Sequence, residues 1–356
     1  MKLILRLPPP QNYLYSILIA LLLGFFFWQF QSTQPSTTHT LDLSGEVPAL
    51  FANQTNDDLT ASFASGIASA KESVLLIVYT LTDPTIIKAL KKKSEEGVNV
   101  RVITDAMESP YVTSKLGSSV FMNRRFSKGR MHQKILVIDG KVSWIGSANM
   151  TSESLRMHGN LVNVIKSAPL AERLEAKALT MDMKAKDSYF LHEEFTIGGQ
   201  LVELWFLPDD HMAVQCVKDL IHSAKENVRI AMFTWTRMDF AHAAIEAANR
   251  GVNVEVVIDG NQGKGVSSRI VELLRNSKVK VSLSRGKPLL HHKFLYVDQS
   301  MLVNGSANWT HDAFNKNDEC FLIIHNLTQL QQHQMDALWK VISKESIQVK
   351  KKEVIE

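Results

Sequence analysis

HQKILVIDGKVSWIGSAN (residues 132–149) and HHKFLYVDQSMLVNGSAN (residues 291–308) align position for position at an offset of 159 residues. His132, Lys134, Asp139, Gly146, Ser147 and Asn149 answer to His291, Lys293, Asp298, Gly305, Ser306 and Asn308. Working outward, Ser69-Ala-Lys-Glu72 recurs at Ser223 to Glu226, Gly97-Val-Asn-Val100 recurs at Gly251 to Val254, and Asp105 recurs at Asp259, all at an offset of 154. The change of five residues falls between Asp259 and His291. A constant offset broken by one loop insertion is the mark of a duplicated domain and not of a short-period solenoid.

Each half carries the same succession: a helix ending near Ser-Ala-Lys-Glu, a buried apolar strand, a second helix, and a strand after Gly-Val-Asn. Strands are predicted at 74–80, 98–104, 134–139 and 142–145, and again at 228–234, 252–258, 293–298 and 301–304. Strands alternating with helices define an α/β fold with a largely parallel or mixed sheet in each half. The apolar run from Leu201 to Leu207 opens the second half, with Pro208-Asp-Asp read as a turn and helix start. Lobe 1 is therefore expected over residues 48–195 and lobe 2 over 196–345, with 346–356 as a charged tail.

The duplicated stretch carries the chemistry. Side chains two apart on a strand share a face, so each copy offers one imidazole and one ammonium side by side. The Gly-Ser-x-Asn turn that follows offers backbone N–H groups, a hydroxyl and an amide, which suit phosphate oxygens. Two copies facing across a pseudo-twofold would bring together His132, Lys134, Ser147 and Asn149 with His291, Lys293, Ser306 and Asn308. One imidazole can then attack phosphorus to form a phosphohistidine while the other, as imidazolium, protonates the leaving alkoxide and later activates water or another alcohol. The lysines and asparagines would steady the transition-state oxygens. This inventory calls for no metal and no cofactor.

The paired His-x-Lys-x4-Asp and Gly-Ser-x-Asn motifs resemble the phospholipase D superfamily, over residues 48 to 340 or so. The resemblance implies two α/β lobes with the active site at their interface and a ping-pong phosphohistidine mechanism. It assigns a structural role to Asp139 and Asp298. Members often carry, about eleven residues after the Asn, a carboxylate hydrogen-bonded to the catalytic His; Glu319 fits that place in the second half and Asn160 occupies it in the first. With Glu319 expected behind His291 and Asn160 behind His132, His291 is expected as general acid and His132 as nucleophile.

Charge and hydropathy set the partners. Forty Lys+Arg against thirty-six Asp+Glu give a net charge of +4, which excludes a polycation that coats nucleic acid. Two cysteines, Cys216 and Cys320, exclude a disulfide framework. Residues 13–28 (YLYSILIALLLGFFFW) hold no charged residue, and Lys2 and Arg6 precede them. We therefore expect a membrane anchor, or a signal peptide, at 1–31, a flexible tether at 32–47, and a catalytic domain outside the cytoplasm. A tethered phosphodiesterase meets bilayer phospholipid at high effective concentration, so glycerophospholipid is the expected substrate, hydrolysed or, as in cardiolipin synthesis, transferred. An endonuclease of the same superfamily is the competing reading, and near-neutral charge counts against it. Trp144, Trp235 and Trp309 fit either a lipid groove or core packing, and His158 and His292 lack the support of duplication.

Overall fold

The structure, a computed structural model, describes residues 46–182, 189–285 and 289–350. The expected anchor, nearly all of the tether and residues 351–356 of the tail lie outside them. Among the described residues no helix is long and apolar enough to cross a membrane.

Lobe 1 runs β1 (Ala49–Ala52), α1 (Leu59–Ser69), β2 (Ser73–Val78), α2 (Pro84–Glu95), β3 (Asn99–Asp105), α3 (Val112–Leu116), β4 (Phe121–Arg125), β5 (Lys134–Ile138), β6 (Val142–Gly146), α4 (Ser152–Arg156), β7 (Leu161–Lys166) and α5 (Ala168–Asp182). Lobe 2 runs β8 (Glu193–Ile197), β9 (Gln200–Leu207), α6 (Ala213–Ser223), β10 (Asn227–Met232), α7 (Met238–Asn249), β11 (Asn253–Ile258), α8 (Gly260–Lys264), α9 (Ser268–Arg275), β12 (Lys280–Ser284), β13 (Lys293–Val297), β14 (Met301–Gly305), α10 (His311–Asn315), β15 (Glu319–Ile324), α11 (Gln329–Lys344) and β16 (Ser346–Gln348). The sheet orders are β1-β7-β6-β5-β2-β3-β4 and β16-β12-β11-β10-β13-β14-β15-β9-β8. Within each, β2-β3-β4 and β10-β11-β12 are parallel, and β5 and β13 run antiparallel to their neighbours. Residues 208–210 form no helix start, because the Asp210 carboxylate turns the chain by accepting the Met212 N–H, and α6 begins at Ala213.

The strands read as continuous apolar runs because both sheet faces are covered. In β2, Leu75 and Ile77 enter a layer shared with lobe 2, whereas Val74, Leu76 and Val78 pack under α1 and α2. In β13, Phe294 and Tyr296 face the shared layer while Leu295 and Val297 pack with α6 and α7. The outer helices obey local rules: Pro84 opens α2, the Asp83 carboxylate caps it at the N–H groups of Thr85 and Ile86, and Ile86, Ile87 and Leu90 form its buried face.

Asp139 and Asp298 close the turns after β5 and β13 with φ of 51° and 48°. The Asp139 carboxylate accepts N–H groups from Lys71, Glu72 and Ser73, and that of Asp298 accepts them from Lys225, Glu226 and Asn227. These contacts account for the co-duplication of the Ser-Ala-Lys-Glu segments with the Asp positions, since each carboxylate satisfies the amides of the chain leaving the preceding helix.

Candidate active site

The cavity between the lobes opens at the carboxyl ends of the two sets of parallel strands, the place where α/β sheets generally hold ligands. It has a volume of about 860 Å³, and His132, Asn149, His291 and Asn308 all line it. His132 and His291 stand just before β5 and β13, and Lys134 and Lys293 are the first residues of those strands. All four are 7% exposed or less. Each lysine Nζ donates to the carbonyl oxygen of the histidine two residues back.

Each imidazole is oriented by the opposite lobe. His132 Nδ1 lies 2.8 Å and 2.9 Å from the two carboxylate oxygens of Glu319, and His291 Nδ1 lies 2.9 Å from Asn160 Oδ1. This reverses the expected pairing, in which Glu319 stood behind His291 and Asn160 behind His132. The cause is a pair of short parallel bridges between lobes, Met131 with Asp318 and Leu290 with Gly159. The next residue of each strand pair is a histidine facing its partner, and the backbone holds the register through His132 N to Asp318 O at 2.8 Å and His291 N to Gly159 O at 2.9 Å.

The two serines expected at phosphate are elsewhere. Ser147 Oγ donates to Asn160 Oδ1 at 2.8 Å and Ser306 Oγ to Glu319 Oε2 at 2.5 Å, both with no exposure. A hydroxyl so used has no proton left for substrate, so the serines hold the groups that hold the histidines. The helices that follow each Gly-Ser-x-Asn turn, α4 and α10, are capped by Thr151 and Thr310, two residues beyond each Asn. Asn149 and Asn308 do reach the cavity, where Asn308 Oδ1 accepts the Thr234 N–H at 3.3 Å. That bond leaves the Asn308 amide N–H₂ available as a donor.

Burial governs the electrostatics. It drives the His132 imidazole down to about 4 against the opposing charge of Glu319, and Lys134 down to about 7, again against Glu319. His291 and Lys293 are pushed well below their ordinary values, first by burial and then by the neighbouring lysine charges. Glu319 is held below the ordinary carboxylate range: burial works the other way, but His132, Lys134 and the Ser306 hydroxyl outweigh it. These shifts favour an ionised Glu319 that accepts the Nδ1–H of a neutral His132, leaving Nε2 as the unprotonated ring nitrogen.

Several residues that shape the site stand outside the motifs. Tyr79 packs edge-on to His132 at 5.1 Å and Phe233 packs against His291 at 5.0 Å, with Lys134 and Lys293 over the same rings at 5.4 Å and 5.0 Å. They are related by the offset of 154, so comparing the halves beyond the motifs exposes them. Asp105 and Asp259 share that offset. Their carboxylates accept the N–H of Met131 and Leu290, fixing the residue before each histidine. Trp144, Trp235 and Trp309 are core residues, at most 4% exposed. His292 is buried with Nε2 on Gln54, and His158 packs 6.3 Å from His291. Cys216 and Cys320 are both free thiols. Among the described residues no group of three or more His, Cys, Asp or Glu side chains is arranged to hold a metal ion.

Two copies of one α/β lobe, each giving a His and an Asn to a shared cavity with a buried Lys behind each His, define a phospholipase D-like protein. Residues 63–181 and 217–339 match the family described as cardiolipin synthase, PLD-like domain, and with more than half of its length matched the chain belongs to that family. Cardiolipin synthase of Clostridium perfringens is 27% identical over 284 residues, covering 68% of this chain and 58% of that one. Mitochondrial cardiolipin hydrolase of Chlamydomonas reinhardtii is 32% identical over 123 residues, covering 34% of this chain and 55% of that one. The chain thus spans a little over half the length of these relatives. The crystal structure of phosphatidylserine synthase from Haemophilus influenzae has the same fold, with a TM-score of 0.67 at 13% identity over 85% of this chain and 88% of that one.

Proposed function

We propose that the protein cleaves the phosphodiester of a glycerophospholipid through a phosphohistidine and passes the phosphatidyl group to water or to a second alcohol, without a metal. The observation that carries this reading is the pair of imidazoles lining one cavity, each with Nδ1 engaged and Nε2 left as the free ring nitrogen. The exchange of partners removes the ground on which His132 was expected as nucleophile; in this scheme His132 Nε2 still attacks phosphorus, now because Glu319 stands behind it. The imidazole ring of the phosphohistidine then carries positive charge, and Glu319 on Nδ1 offsets it. His291 supplies the proton to the leaving alcohol. Its own surroundings disfavour the charged form, so the phosphate anion of the substrate is what raises its proton affinity. With the leaving alcohol gone, His291 takes a proton from the incoming nucleophile, and attack on phosphorus frees His132. Lys134, Lys293, Asn149 and Asn308 balance the phosphoryl oxygens.

A phospholipid substrate is supported by the names of the relatives, cardiolipin synthase and cardiolipin hydrolase, which also frame the choice between transfer and hydrolysis. The uncharged run at residues 13–28 supports a chain held at the bilayer with its lobes outside the cytoplasm. The test is turnover of phosphatidylglycerol, phosphatidylcholine, cardiolipin and single-stranded DNA with EDTA present, by the full chain and by His132→Asn and His291→Asn. Head-group release or exchange lost in both variants is expected. DNA cleavage without lipid turnover, or strict dependence on a metal, would overturn the reading.

A further inference from the structure

The loop after β4 lines the lobe 1 side of the cavity with Lys128, Gly129 and Arg130, and the loop after β3 stands beside it, joined through Ala106 N to Arg125 O. They carry Met107, Tyr111 and Phe126, which are 80%, 76% and 78% exposed. Three large apolar side chains this exposed on adjacent segments are unusual for a protein surface that meets only water.

The loops are not slack. Arg124 donates to the carbonyl oxygens of Ala106, Glu108 and Pro110, and Ala106 N donates to Arg125 O at 3.0 Å. The Tyr79 hydroxyl donates to the Glu108 carboxylate at 2.8 Å, and Ser109 Oγ accepts the Leu81 N–H at 2.8 Å. Backbone groups are satisfied inward, so the apolar side chains are presented outward by an ordered frame. The same frame holds Tyr79, which packs on His132. Exposed Lys128 and Arg130 belong to the loop after β4 and line the cavity itself, and across the mouth Val266, 64% exposed, lines it from lobe 2.

We infer that the loops bearing Met107, Tyr111 and Phe126 are a docking surface for a bilayer containing anionic phospholipid, seating the cavity mouth on the head-group layer. Apolar tips enter the acyl boundary while Lys128 and Arg130 meet lipid phosphates, the combination that anionic interfaces select. Tyr111 and Phe126 would suit a base as well as a lipid, but Met107 and Val266 offer no stacking face, which favours lipid over a strand. The inference rests on the reading of the cavity as a phospholipid site, and its test separates the two.

The full chain is mixed with vesicles of phosphatidylcholine and phosphatidylglycerol whose acyl chains are brominated. Phe126→Trp is expected to add fluorescence that the bromolipid quenches, whereas Leu330→Trp, at a position 67% exposed on α11, adds fluorescence that it does not. The triple variant M107S/Y111S/F126S is expected to raise the apparent KM on vesicles at least tenfold and to leave turnover of a short-chain, monomeric phospholipid unchanged. If the triple variant does not fold, the quenching of F126W alone decides. Equal quenching of F126W and L330W, or an emission change with a single-stranded oligonucleotide and none with vesicles, overturns the docking surface. Selective quenching of F126W with no turnover of any lipid upholds the surface and instead removes the proposed function.

Discussion

Glu319 lies in lobe 2 yet accepts the Nδ1–H of His132 in lobe 1 at 2.8 Å, with its other bonds coming from Ser306 and Asn317. The mirror contact, Asn160 to His291, has an amide where this one has a carboxylate. The pseudo-twofold therefore repeats the chain of Ser hydroxyl, acceptor oxygen and imidazole on both sides but is broken in charge, and the break falls on the imidazole of the opposite lobe.

Replacing Glu319 with Gln keeps the shape but removes the charge behind His132. We expect kcat to fall by about 10²- to 10⁴-fold, with little change in KM, because the lost interaction matters most once the ring carries positive charge. Asn160→Asp has the opposite character. A carboxylate behind His291 raises its proton affinity, so the alkaline limb of kcat/KM, which reports loss of the acid's proton, moves to higher pH. An unmoved limb would show that His291 is not the acid.

Trapping distinguishes the two histidines directly. With a slow phosphodiester substrate labelled in the phosphoryl group, acid-labile, base-stable label is expected on His132 in the wild type and in His291→Asn supplied with a substrate whose leaving group needs no proton. His132→Asn should take up none. Label recovered on His291 would invert the roles.

The burial that brings Lys134 down to about 7 makes anion binding pH-dependent. Raising the pH through that value discharges the ammonium, so dimethyl phosphate, whose own charge is constant across this range, should bind more weakly at pH 9 than at pH 6. We expect at least a tenfold increase in its inhibition constant. A constant value would mean that Lys134 keeps its proton.

Asp139 should matter for folding and not for chemistry. Its carboxylate is held below the ordinary range: partial burial works upward, but the N–H groups of Ser73, Glu72 and Lys71 outweigh it. A depressed folded value means that this stabilisation is full above about pH 4 and is lost as pH falls through the folded value. Asp139→Asn should cost about 1–3 kcal/mol, read as a lower midpoint in urea at pH 7, with kcat unchanged in the folded fraction. The difference between the two proteins should shrink as the pH is lowered.

The sequence was most legible where duplication and periodicity act within one lobe. The eight strands read from the two repeats all form, because their residues are apolar on both faces and are bounded by Gly or Asp turns. His132, Lys134, His291 and Lys293 converge as expected. What a linear reading could not supply was contact between lobes. Nothing local to Glu319 says whether its partner is 28 residues upstream in its own lobe or 187 away in the other; the bridge between Met131 and Asp318 decides it. The place of the serines is hidden for the same reason, since a hydroxyl at a phosphate site and one locked onto Glu319 or Asn160 look identical in sequence. Tyr79 and Phe233 escaped because aromatic residues at strand ends are ordinary core material until their histidine neighbours are seen.

The apolar layer between the two sheets adds a constraint of another kind. Leu75, Ile77, Ile135 and Val137 on one side and Phe294, Tyr296, Leu322 and Ile324 on the other form one unbroken cluster, closed by Leu174 of α5 and Trp339 of α11. Prising the lobes apart would expose all of it, at roughly 1.5–3 kcal/mol for each large side chain, so the seam between the described lobes is held shut. In the proposed two-step reaction both alcohols would then use the mouth of the cavity in turn. The departing head group blocks the arrival of the next nucleophile until it has left, and the queue at that entrance, more than any residue, would keep the two half-reactions in order.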